Sequence, residues 1–221
     1  MLASRGDRFT FAGFGFLMFE RAWSLMGMEN ALISMAACPA EMERLFDEIC
    51  EYYLKLVDIA LEYDIDGIYF GDDWGQQRGL IMGPSHWRRF IKPQMAKLYE
   101  RAASKGGFVI QHSCGDCREI FPDLIEIGLD CYQTFQPEIY DLAEMKRLYG
   151  KDLAFWGGIS VQQVLPQFTP DGVRDEVIRV ANTLKQGGGF ILAPSHALTH
   201  DIPPQNILAM IDVMQNQNKY I

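Results

Sequence analysis

The chain has 221 residues, 48% of them hydrophobic and 22% charged, with a net charge of −9 at pH 7. That length can bury a sizeable core, and the balance is ordinary for a globular protein. No Lys/Arg stripe offers a footprint for nucleic acid, and no run of about 18 apolar residues could span a bilayer. The start "MLASRGDRFTF" lacks the basic and then apolar regions of a signal peptide. Five irregularly spaced cysteines fit reduced thiols in a cytoplasm better than a disulfide framework.

In chain order, the apolar run "FTFAGFGF" (9–16) predicts a first strand and "AWSLMGMENALISMAA" (22–37) a helix. A longer helix follows over 39–63, where Met42, Leu45, Phe46, Ile49, Tyr52, Tyr53, Leu56 and Ile59 recur at spacings of three and four. Pro39 suits its first turn, and Glu41 and Glu43 favour the positive end of its dipole. "DGIYFGD" (66–72) is the second strand. The segment 83–107 reads as a helix with a Ser85 cap and a terminal glycine pair, kinked or broken at Pro93. Strands are predicted again at "GFVIQHS" (107–113), "DCYQTFQ" (130–136), "LAFWGGI" (153–159) and "GFILAPS" (189–195). Before the last of these, a helix over 169–189 starts at a Thr169 cap with Pro170 behind it, and three glycines stop it.

Nearly continuous apolar strands alternating with amphipathic helices indicate an α/β fold with a parallel sheet. No dinucleotide or phosphate-binding glycine motif follows any strand. The chemical residues gather instead at the C-terminal ends of strands: Asp72 and Asp73, His112 and Cys114, Gln133 and Gln136, Ser195 and His196. In a (β/α) barrel such ends converge on one face. The expectation is therefore a single barrel domain over residues 1–221. It is incomplete, with about six of the eight units a full barrel needs, the N-terminal ones missing.

"HSCGDC" places His112 and Cys114 on one face of an extended strand, where an imidazole and a thiolate could share one catalytic-type zinc with a ligand from elsewhere. A buried thiol beside a hydrogen-bonded histidine fits equally, and Cys114 with Cys117 also spells a C-x-x-C redox pair. His196 leaves the last strand where it could face the same pocket or serve as a loop residue. Asp72 and Asp73 end an apolar strand and point in opposite directions, so one would face the pocket while the other caps a loop. Glu20, shortly after the first strand, could reach the same mouth or pair with Arg21. Trp74, Phe135 and Trp156 could line the pocket or fill the core, Gln133 could contact substrate, and Gly157 and Gly158 would let a ligand approach the backbone closely.

The succession "FGDDWGQQRGLIMGPSHWRRFIKP", "HSCGDCREIFPDLIEIGLD", "FWGGISVQQVLP" and "GGGFILAPSHALTHDIPPQNILAM" resembles the uroporphyrinogen decarboxylase superfamily. The branch it is most similar to includes the cobalamin-dependent methyltransferases. The resemblance implies a (β/α)₈ barrel in which an H-x-C pair and a later cysteine bind zinc, activating a thiol that takes a methyl group from a corrinoid. His112 and Cys114 match the pair, and His196 stands where the later cysteine is expected. A second histidine makes the centre less negative than a second thiolate would, which opens the reaction to O- or N-methyl substrates with a corrinoid protein as receiver. Asp72, Asp73 and Glu20 are then the candidate catalytic carboxylates.

Two alternatives accompany this reading. One is decarboxylation in porphyrin biosynthesis, which requires a cationic cradle for a polycarboxylate porphyrinogen. "MLASRGDRF" does not match the paired-arginine motif that would supply one. The other is a non-catalytic barrel fragment whose open edge is covered by a complementing chain or a second copy.

Overall fold

The computed structural model describes residues 5–221, which fall into two compact units, the first running to Cys131 and the second spanning Tyr132–Ile221. In the first unit, β1 (Phe11–Phe14) is followed by helices α1 (Met18–Met26), α2 (Met28–Ala37) and α3 (Pro39–Ala60), and then by β2 (Gly67–Gly71). A small antiparallel hairpin, β3 (Gly75–Gln76) and β4 (Gly79–Leu80), leads into α4 (Gly83–His86) and α5 (Lys92–Ala103). β5 (Phe108–His112) and α6 (Phe121–Glu126) complete that unit. β6 (Cys131–Phe135) starts at the boundary, and α7 (Leu142–Tyr149), β7 (Ala154–Ile159), α8 (Val164–Gln167), α9 (Pro170–Leu184), β8 (Phe190–Pro194), α10 (Pro204–Gln215) and α11 (Gln217–Tyr220) follow in the second.

Strand order within the first unit is β1-β2-β5, with both pairings parallel, and within the second it is β6-β7-β8. Helices intervene between the successive strands of this order. Repeated βα units of this kind are the pattern of a (β/α) barrel, here with six such strands among the described residues. No helix is long and apolar enough to cross a membrane among the described residues.

Every strand predicted from its apolar run is present, trimmed by one or two residues at its ends. The helices need more correction. The single helix over 22–37 is two, broken at Gly27, whose φ of +87° ends α1 and whose amide returns to the Trp23 carbonyl. Ser85 is not a cap: the helix begins two residues earlier, at Gly83 with Pro84 behind it, and Ser85 lies inside α4. Between α4 and α5 the turn widens into a π segment, Trp87–Ile91, in which the Lys92 amide reaches back to the Trp87 carbonyl. Pro93 explains it. The proline has no N–H for the Arg89 carbonyl and its ring crowds that carbonyl, so the ladder slips by one residue. At Thr169 the expected cap forms, its hydroxyl accepting from the Gly172 amide at 3.2 Å.

Gly157 and Gly158 serve packing. A Cβ at Gly157, whose φ is +135°, would stand 2.9 Å from the backbone nitrogen of Phe135, and one at Gly158 would stand 3.0 Å from Val180. The close approach expected of a ligand is thus made by β6 and α9 themselves. Gly157→Ala is expected to cost roughly 1–3 kcal/mol of stability through overpacking, read as a lower urea midpoint; an unchanged midpoint would contradict this packing.

Candidate metal centre and active site

The parallel register of β2 and β5 sets Gly71 opposite His112, and the Asp72 amide donates to the His112 carbonyl at 3.1 Å. Two residues further along, the Cys114 amide donates to the Asp73 carboxylate at 2.8 Å. The two strand exits are then sewn together. Trp74 N–H donates to the Ser113 hydroxyl at 2.9 Å, Gly75 N–H to the Cys114 carbonyl at 3.2 Å, and Asp116 N–H to the Gln76 carbonyl at 2.9 Å. This contact needs glycine on both sides. A Cβ on Gly115, itself at φ +78°, would fall 2.2 Å from the Gly75 carbonyl carbon, and one on Gly75 would fall 2.6 Å from the Cys114 oxygen.

On this platform His112 Nε2 and Cys114 Sγ lie 3.8 Å apart, both half-buried. Tetrahedral zinc bonded to one nitrogen and one sulfur holds them about 3.6 Å apart, so the donor types and their spacing fit a shared metal. Asp73 Oδ1 is 3.4 Å from the same His112 nitrogen. The Tyr69 ring lies 6.0 Å from the imidazole, and burial pushes its hydroxyl well above the usual range, with Cys114 and Asp73 adding to the shift.

The neighbouring carboxylates divide sharply by surroundings. Asp72 is fully buried and accepts from the Phe19 and Glu20 amides, each at 2.9 Å, and from Trp74 Nε1 at 2.5 Å. It satisfies the N-terminal amides of α1 and complements the positive end of that helix. Burial still raises its pKa to about 6 against the lowering effect of these bonds. Asp73 moves the other way. Burial alone would raise it, but the His112 imidazole and the Cys114 amide hold it below the ordinary carboxylate value. Glu20, half-buried, accepts from the Asp73 amide and is raised to about 7, first by burial and then by repulsion from Asp72 and Asp73.

Trp74 has no exposed surface, its N–H goes to Asp72, and its ring meets Trp87 edge-on at 5.3 Å, so it is a strut behind the site rather than a pocket wall. Phe135 is likewise core, stacked on Phe155 at 4.2 Å. In the second unit Gln133 is buried, and Trp156 is half-buried in register with Ile191. His196 lies exposed just past the end of β8, after the buried Ser195. Sequence reading missed Ser113 and the Gly75–Gly115 contact, although a glycine within each of two chemical motifs was a signal of close backbone approach.

The profile of the uroporphyrinogen decarboxylase (URO-D) family matches residues 2–217. The chain belongs to that family. Among its curated relatives is the methylated-thiol–coenzyme M methyltransferase of Methanosarcina mazei, 19% identical over 193 residues, which are 87% of this chain and 49% of the relative. A solved methyltransferase structure from Methanosarcina mazei superposes with a TM-score of 0.80 at 18% identity, covering 98% of this chain and 61% of that one. That likeness shows the barrel fold. The chain spans about half the length of the curated relative it matches.

The folded protein holds the Glu20 proton more tightly than the unfolded chain, since its carboxyl moves from 4.5 to about 7. The stability this contributes is complete below pH 4.5 and is lost as pH rises through about 7. Metal-free wild type is therefore expected to lose stability across that window relative to Glu20→Gln. Parallel melting profiles for the two proteins against pH would contradict the assignment.

Proposed function

We propose that this URO-D-family chain carries the catalytic barrel of a methyltransferase. It would move a methyl group between a small methylated substrate or thiol and a corrinoid carried by a partner protein, with zinc at His112, Cys114 and His196. The observation that supports this most is the His112–Cys114 pair, an imidazole nitrogen and a thiol sulfur 3.8 Å apart on a backbone held by the Gly75–Gly115 contact. A second support is the printed activity of the Methanosarcina mazei relative, a methylated-thiol methyltransferase. His196 joins the proposed set as the residue that stands, just past the end of β8, where the family resemblance expects the later ligand.

Zinc bound there would act as a Lewis acid on the heteroatom that carries or accepts the methyl group. The chain's own residues do the rest. Asp73 orients the imidazole and fixes the Cys114 amide, Asp72 holds the start of α1, and α1 presents Glu20. A Glu20 carboxyl near neutrality suits it to take or return the proton of an accepting heteroatom. Gln133 and Trp156 remain the candidate substrate contacts. The decarboxylase reading is weaker, because the carboxylates Asp73 and Glu20 lie near His112, where a polycarboxylate would need cations.

The test is demethylation of methylcobalamin by thiol and amine acceptors, followed in the visible spectrum with the zinc-loaded protein. Turnover is expected in wild type and should be lost in Cys114→Ser. Asp73→Asn is expected to weaken metal affinity by about 10- to 100-fold. Metal-independent decarboxylation of a porphyrinogen would replace this function, and a folded protein with neither activity would leave a non-catalytic barrel.

A further inference from the structure

Of the polar residues at the exits of β6, β7 and β8, the proposed metal centre takes His196 alone. Ser160, one residue past β7, accepts from the Gln163 amide at 2.9 Å and the Val164 amide at 3.2 Å. Both lone pairs of its hydroxyl are thereby committed, so its proton is donated to Glu138 Oε1. The carboxylate is fixed through one oxygen. The other, Oε2, is buried and has no hydrogen-bond partner.

Ser195 lies beside this pair. Ile159 is in register with Pro194, and the Ser195 amide donates to the Ile159 carbonyl at 2.8 Å. Ser195 therefore stands one residue past the end of β8 as Ser160 stands one past β7, with strand spacing setting their backbones roughly 5 Å apart. It is fully buried, and its hydroxyl has no partner. Native interiors satisfy nearly all such groups, so two orphans at adjacent strand exits call for a common reason.

We propose that Glu138 and Ser195, with Ser160 as the clamp, form a polar subsite for a ligand group bearing at least two N–H donors. An ionised carboxylate oxygen only accepts, and a serine oxygen can accept as well. An ammonium or a primary carboxamide can serve both acceptors at once, whereas a single hydroxyl serves one. Residues 137–139 are half-exposed, so the ligand reaches Glu138 from the solvent side of that loop. The subsite is independent of the zinc reading and stands or falls separately.

Ligand-observed NMR titrations of the full chain with methylammonium and acetamide test it, with tetramethylammonium and acetate as probes lacking N–H. Saturable binding of an N–H probe is expected, weakened about tenfold or more in Glu138→Ala and in Ser195→Ala. Binding by methylammonium alone would identify a cationic ligand, and binding by acetamide alone a carboxamide. Ser195→Ala removes a hydroxyl without a partner, so it should melt at or above the wild-type temperature, and it carries the test if Glu138→Ala does not fold. The subsite would be overturned by no binding of either N–H probe, equal binding of tetramethylammonium, unchanged affinity in the variants, or a sharply lower melting temperature for Ser195→Ala.

Discussion

The Cys114 amide donates to Asp73 at 2.8 Å, and the rest of the candidate site depends on that bond and the backbone contact beside it. It couples the exit of β2 to the exit of β5 so that one carboxylate positions a thiol and an imidazole together. Glycines 75 and 115 make the coupling possible, because any side chain on either would push the two backbones apart. An H-x-C pair by itself ensures only that two side chains share a face. The interlock with the hairpin turns that tendency into a fixed nitrogen-to-sulfur spacing.

Three carboxylates crowd the same region without competing, because each has a different partner. Asp72 is consumed by amides and an indole N–H, Asp73 by the imidazole and the Cys114 amide, and Glu20 by the Asp73 amide. Burial acts on all three, and the quality of hydrogen bonding decides the outcome. Asp73 is held low, while Asp72 is pushed up to about 6 and Glu20 to about 7. One of the two adjacent aspartates is thus tied into the fold, and the other holds the His112–Cys114 pair.

Much of this was legible in the residues. Parallel strands leave nearly continuous apolar runs, and each such run is a strand, although β1 and β8 stay partly exposed. The Asp72-Asp73 and His112-Cys114 pairs sit where strand ends put them. Features that depend on a second segment were not legible. Ser85 looks like a cap until Gly83 and Pro84 start the helix first. Gly157 looks open to a ligand until Phe135 is found against it. Glu138 carries no local signal because its partner, Ser160, comes from beyond the end of the next strand.

The most direct measurement is the zinc content and sulfur coordination of the purified chain, by elemental analysis and X-ray absorption at the zinc edge. The proposed centre requires about one zinc per chain with a single sulfur ligand and nitrogen neighbours, lost in His112→Ala and His196→Ala. Well-folded protein without zinc, or zinc that survives those substitutions, would contradict it and leave His112 and Cys114 as a hydrogen-bonded pair in a barrel without metal chemistry.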